Sequence, residues 1–167
     1  MHAIASHDSA RATATMPLDT ADKKILRALQ HDATLSTDAL AERVNLSRNA
    51  CWRRVKALES AGLIRKRVAL LDADKVGCGL TVLVAIRTRE HEAGWLERFS
   101  EAVSAQPEIV AVWRTSGDID YLLKAQVSDM GAYDRLYQRL ISAVPLSDVS
   151  ASFVMEAIKD TTELPLD

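Results

Sequence analysis

The sequence predicts an α+β chain of two modules, an N-terminal three-helix (winged) helix-turn-helix over residues 18–71 and a ferredoxin-like βαββαβ domain over residues 80–167. Three observations predict it. Capping residues followed by apolar stripes of helical period recur three times before residue 63. From residue 80 onward, β-branched runs alternate with helical stripes. The charge divides with the modules: residues 18–71 hold eleven Lys and Arg against six Asp and Glu, whereas residues 72–167 hold nine against sixteen.

Element by element, residues 1–17 are rich in Ala, Ser and Thr without apolar periodicity and read as a disordered tail. Asp19 is placed to cap a helix whose Ile25, Leu26 and Leu29 share one face, and His31-Asp32 end it. Ser36 caps a second, short helix, with Leu35 and Leu40 at the spacing of a hydrophobic staple. Asn45 breaks that helix and Ser47 caps a third, in which Cys51, Val55 and Leu58 mark the buried stripe and Gly62 the left-handed stop. The turn Val44-Asn45-Leu46 makes the pair a helix-turn-helix. Ile64–Leu71 reads as a wing strand and residues 72–79 as a linker.

Beyond the linker, strands are expected over 81–88, 109–115, 121–127 and 149–158. Helices are expected on the stripe Trp95, Leu96, Phe99 and Val103 and on the stripe Tyr133, Leu136, Tyr137, Leu140 and Ile141. This order gives an antiparallel sheet with both helices on one face. Apolar residues occur on both faces of the strands, so the second face needs a cover, most simply a second copy of the chain.

Composition narrows the function. Two cysteines, Cys51 and Cys78, lie far apart, which disfavours a disulfide framework or a cysteine zinc site and fits a reducing cytoplasm. No apolar run reaches the roughly 18 residues of a membrane span, and a secretory signal is not evident. His2, His7, His31 and His91 have no evident nucleophile partner, and neither a phosphate-cradling glycine loop nor an H-E-x-x-H pair occurs, so an enzyme and a bound metal or cofactor are not expected.

The basic half points to a polyanion. Residues 47–67 contain seven basic residues and one acidic residue, Glu59. On a helical wheel Asn49, Arg53 and Lys56 lie opposite the Cys51–Val55–Leu58 stripe, with Trp52 on their flank. In a helix-turn-helix the second helix of the motif enters the major groove of double-stranded DNA, where Arg bonds guanine and Asn bonds adenine. Ser47, Arg48, Asn49, Trp52, Arg53 and Lys56 are therefore candidates for the groove, and Arg65, Lys66 and Arg67 for phosphate contact at the wing. The blander alternatives are a merely solvated basic face and a Trp52 that only packs. Arg54 sits nearer the buried edge and is expected in a structural ion pair, with Glu59 as its partner. Cys51 is expected to fill core space, a redox-sensing thiol being the alternative.

With these residues in place, the chain resembles the Lrp/AsnC, or feast/famine, family of regulators. The resemblance rests on Leu18, Asp19, Asp22, Ile25 and Leu26 in the first helix. In the third it rests on Leu46, Ser47, Cys51, Arg54, Val55, Leu58, Glu59 and Gly62, with Ile64 after it. The runs VWRTSGDIDYLLKAQVSDM and SASFVMEAIKDTTELPL extend it to the second half. Ala50 stands where many members have Pro, and Arg48-Asn49 are individual, so no operator sequence is carried over. The resemblance implies a DNA-binding regulator, assembled as a dimer and further as a tetramer or octamer. Its C-x-R and T-T-x-L-P-L features look most like the branch that answers to leucine, methionine or cysteine.

Thr115–Tyr121 (TSGDIDY) reads first as a strand-joining turn in which Gly117 takes positive φ. It also gathers the carboxylates of Asp118 and Asp120, groups able to bond an ammonium, while turn N–H groups can receive a carboxylate. The resemblance implies an amino-acid effector beside this turn, with Thr115, Gly117, Asp118, Asp120 and Tyr121 as candidates and Met130 and Tyr133 contributing from the following helix. A purely amino-acid-binding module that tunes an enzyme in trans is the competing reading, disfavoured because it needs no basic recognition helix.

Overall fold

The computed structural model describes residues 17–88 and 93–167. The tail expected over 1–17, except Pro17, lies outside the described residues, as do His2, His7 and His91.

The chain forms two compact units. The first along the sequence holds α1 (Thr20–His31), α2 (Thr37–Val44) and α3 (Arg48–Ser60). Asp19 caps α1 in a full capping box: its Oδ1 accepts from the Asp22 N–H at 2.8 Å, and Asp22 reaches back to the Asp19 N–H. Ser36 and Ser47 cap α2 and α3 through their hydroxyl oxygens. Asn45 closes α2 in the left-handed region at φ 57°, one of the few conformations that a non-glycine residue adopts mainly as Asn or Asp. Gly62 follows α3 at φ 73°, where a Cβ would strain the backbone.

One core joins the three helices: Ile25, Leu29, Leu40, Val44, Cys51, Val55 and Leu58 are buried together. Leu35 and Leu46, the residues before the two serine caps, pack against its edge as staples do.

Three expectations are corrected here. Ile64–Leu71, read as a wing strand, makes no sheet ladder; Ile64 reaches the core while Val68, Leu70 and Leu71 stay exposed. A strand exists only with a partner for its N–H and C=O groups, and no described segment supplies one. Arg54 pairs with Asp19 and Asp22 instead of Glu59. Five residues advance a helix by about 500°, so Arg54 and Glu59 point apart, whereas Lys56 lies on Glu59's side. Finally, Ile158–Asp167 packs with the three-helix unit and not with the sheet domain that precedes it in the chain.

The second unit contains β1 (Leu80–Arg87), α4 (Ala93–Ser104), β2 (Ile109–Arg114), β3 (Tyr121–Val127), α5 (Met130–Ala143) and β4 (Asp148–Phe153). The sheet order is β2-β3-β1-β4 with every neighbouring pair antiparallel, the split βαβ arrangement. The expected last strand stops at Phe153, five residues short, because Met155 and Ile158 stand in solvent without ladder partners.

Alternation along the strands separates the faces. Val82, Val84 and Ile86 of β1 and Tyr121, Leu123, Ala125 and Val127 of β3 meet Trp95, Phe99 and Val103 of α4 and Leu136 and Leu140 of α5 in one core. Trp95 stacks on Phe99 with centroids 5.0 Å apart, and its indole N–H donates to the Pro145 carbonyl at 2.9 Å. The other face carries Leu83, Ala85, Leu122 and Trp113, of which Trp113 is 48% exposed.

Candidate nucleic-acid interface

The geometry of α3 follows from its caps and its stripe. With Cys51, Val55 and Leu58 held in the core, Arg48, Asn49, Trp52, Arg53 and Lys56 are all exposed on the remaining surface. Ser47, at the start, uses its hydroxyl to accept from the Ala50 N–H, so it orients the helix end that a groove would receive. An open groove of about 350 Å³ runs beside the helix, lined by Leu46, Ala50, Arg53, Arg54 and Ala57. A second, of about 380 Å³, is lined by Glu59, Ile64, Arg65, Lys66 and Arg67.

Electrostatics sorts these cations. Arg54 donates to Asp19 at 2.7 Å and Asp22 at 2.8 Å, which fixes α3 against the start of α1 and takes Arg54 out of the exposed set. The backbone N–H of Asp22, and after it the Arg54 guanidinium, hold the Asp19 carboxyl below the usual aspartate range. Glu59 is bonded by Lys56 at 2.8 Å and by Arg67 at 3.3 Å, and Lys56 lowers its pKa. Arg53, Arg65 and Lys66 form no ion pair among the described residues, and Arg48 is tied to Asp38 of α2 at 3.3 Å. Among the candidate DNA-facing cations, Arg53, Arg65 and Lys66 are thus the unpaired ones, with Arg48, Lys56 and Arg67 partly neutralised. Cys51 is fully buried and burial pushes its thiol up, so it fills space and is a poor nucleophile.

The candidate effector residues do not converge within one chain. Thr115 and Asp120 close the turn: the Thr115 N–H donates to the Asp120 carbonyl at 2.9 Å and its hydroxyl bonds the Ile119 carbonyl. Gly117 adopts φ 123°. The Asp120 carboxylate accepts from the Thr88 N–H at 2.8 Å, and its own N–H donates to Ile86, so Asp120 pins the turn to the end of β1. Tyr121 is buried between Phe99 and Trp95, with centroids 4.7 and 5.7 Å away. Asp118 alone among these presents an exposed carboxylate that no described residue bonds.

Met130 and Tyr133 stand at the opposite end of the sheet. Tyr133 meets Phe153 edge-on, and Phe153 pairs with Val82, four residues along β1 from the Ile86 that pairs with Tyr121. That is about 13 Å of strand. The apolar cavity beside Tyr133, bounded by Tyr137 and Leu136, measures about 10 Å³, room for a single water at most.

Arg87 was not singled out by the sequence because it closes an apolar strand. Its Nε donates to the Asp118 carbonyl at 2.6 Å and its Nη1 bonds Asp148 at 3.1 Å, so it ties the turn to β1 and β4. A lone cation at the end of an otherwise apolar strand was the available signal. Among the described residues, no group of His, Cys, Asp and Glu is arranged to hold a metal, and no helix is long and apolar enough to cross a membrane.

Comparison with known proteins meets this geometry from both ends. The winged helix-turn-helix DNA-binding family matches residues 18–65, and the Lrp/AsnC ligand-binding domain matches residues 81–164. The glutamate uptake regulatory protein of Zymomonas mobilis is 53% identical over 149 residues, covering 89% of this chain and 91% of that one. The transcriptional activator DecR of Escherichia coli is 50% identical over 151 residues, covering 90% and 99%. A Neisseria meningitidis transcriptional regulator, solved as its complex with L-methionine, superposes with a TM-score of 0.86 at 38% identity, covering 90% of this chain and 98% of that one. With a winged helix-turn-helix DNA-binding domain followed by an Lrp/AsnC ligand-binding domain, and with relatives named as transcription regulators, this chain belongs to the Lrp/AsnC family of DNA-binding transcription regulators.

Proposed function

We propose that this regulator reads a specific DNA sequence through α3 and that a small amino acid of the leucine, methionine or cysteine kind modulates its DNA binding by changing its assembly. The observation that carries the reading is the exposed Asp118 carboxylate, held by Arg87 and Asp120 in a turn inside the matched ligand-binding domain. A relative of 38% identity is described in complex with L-methionine, an α-amino acid whose ammonium suits such a carboxylate. Because the candidate residues of one chain lie at two ends of the sheet, a second copy completes the pocket, and the ligand thereby acts on association. The partly apolar open face with Leu83, Leu122 and Trp113 is the surface on which two copies pair, with tetramer or octamer above that. Several half-sites held at once then bind DNA far more tightly than one. The regulator works in the cytoplasm, beside the chromosome.

In the groove, Arg53 is the base reader, with Asn49 and Lys56 beside it and Ser47, Arg48 and Trp52 at the entry. Arg65, Lys66 and Arg67 hold phosphate. The test begins with thermal shift against the twenty amino acids, since a ligand stabilises by RT ln(1 + [L]/Kd). The amino acid found is then added in sedimentation and DNA-binding titrations of the wild type and of Asp118→Asn, which spares the Asp120 bond to Thr88. The wild type shifts its oligomer distribution and DNA affinity together, and Asp118→Asn does neither. A DNA response with a fixed oligomer distribution defeats the assembly mechanism. For the reader, Arg53→Ala costs roughly 1–3 kcal/mol on the operator and relaxes one base preference; equal loss on random DNA would make Arg53 a phosphate contact.

A further inference from the structure

The segment Ile158–Asp167 follows β4 in the chain, yet it folds against α1. Gln30 meets it with both ends of its amide: Oε1 accepts from the Leu164 N–H at 2.6 Å, and Nε2 donates to the Leu164 carbonyl at 3.1 Å. A side chain here supplies the paired donor and acceptor that a neighbouring strand would offer. One turn earlier, Arg27 donates to the Leu166 carbonyl, and His31 Nδ1 lies 3.6 Å from Glu163. Arg27, Gln30 and His31 stand at i, i+3 and i+4, a single face of the helix. Leu166 enters the edge of the three-helix core while Leu164 points to solvent. Pro165 between them fixes its own φ and biases Leu164 toward extended backbone.

These bonds go to main-chain groups at alternate residues, with one apolar anchor, which is how an extended peptide is recognised. We propose that this face of α1 is a docking site for an extended Leu-Pro-Leu segment, filled by the chain's own residues 163–166, and that its occupancy sets the stability of the DNA-binding domain. Only nine residues separate the end of β4 from Glu163. The latch is thus covalently continuous with the sheet domain while it is docked on α1. This holds whichever effector binds, and whether or not the assembly mechanism above survives.

The full chain serves for the test, with amide hydrogen exchange resolved by peptide. Leu166→Asp removes the anchor, and α1 amides then exchange about tenfold faster or more while β1 and β3 are unchanged. The free peptide IKDTTELPLD, added in excess to Leu166→Asp, restores protection of α1, and a scrambled peptide does not. Gln30→Ala in the same background abolishes the rescue. Unchanged α1 exchange in Leu166→Asp overturns the proposal, because the anchor then contributes nothing. Rescue by the scrambled peptide, or rescue that persists without Gln30, overturns the docking site.

Discussion

Leu58→Ala is the sharpest test of how α3 is held for DNA. Leu58 is 1% exposed, in the core with Ile25, Leu29, Leu40, Val44 and Val55, and its carbonyl closes the helix end by accepting from Leu63 at 3.0 Å and Ile64 at 3.2 Å. Truncation leaves those backbone bonds in place and removes only packing. Buried Leu→Ala changes cost about 2–5 kcal/mol, the spread reflecting how far the surroundings collapse. Here three helices pinned by caps and by the Arg54 ion pairs restrict collapse, so about 3 kcal/mol is expected. At 1.4 kcal/mol per decade, protection of α1–α3 amides measured by hydrogen exchange falls by about two orders of magnitude, while β1 and β3 keep theirs. A unit of this size has little stability to spare, so DNA affinity drops with the folded fraction and recovers on cooling toward the stability maximum. Equal loss of protection in the sheet strands would refute the separation into two cores. A loss under about fivefold would refute the central place given to Leu58.

Three further outcomes bear on charge. Replacing Arg65, Lys66 and Arg67 with Ala flattens the slope of log K against log salt by up to about 0.9 for each phosphate that is no longer neutralised, and an unchanged slope in gel-shift titrations would mean that the segment stays off DNA. Glu59→Gln releases Lys56 and Arg67 from their shared carboxylate and raises affinity for random DNA several-fold at low salt; no change there would mean that neither cation reaches phosphate. Asp19 has a folded pKa below its ordinary 3.8, so its contribution is present above that value and is lost as pH falls through the lowered one. Asp19→Asn keeps a capping oxygen but not the charge facing Arg54, so acid unfolding of α1–α3 becomes less steep in that mutant, measured by exchange protection across the acid range; an unchanged steepness would refute the role given to the Asp19 charge.

What the sequence determined by itself was what depends on near neighbours. Asp19, Ser36 and Ser47 cap helices because a hydroxyl or carboxylate three residues before an unpaired N–H meets it in any context, and Asn45 and Gly62 end helices for an equally local reason. The buried stripe of α3 and the exposed Arg53 opposite it follow from 3.6-residue periodicity alone, and the strand cores of β1 and β3 from alternation. Tertiary structure decided whatever needed a partner far along the chain. Arg54 found Asp19 and Asp22 more than thirty residues away, and Glu59 was left to Lys56 and Arg67. Within the candidate effector turn, the Asp120 bond to the Thr88 N–H and the packing of Tyr121 on Phe99 were not legible, because polarity in a turn looks the same whether it faces solvent or a backbone N–H. The docking of Glu163–Leu166 on α1 joins residues more than 130 positions apart, and no local pattern encodes it; only the folded helix brings Arg27, Gln30 and His31 onto one face at the spacing that an extended backbone can meet.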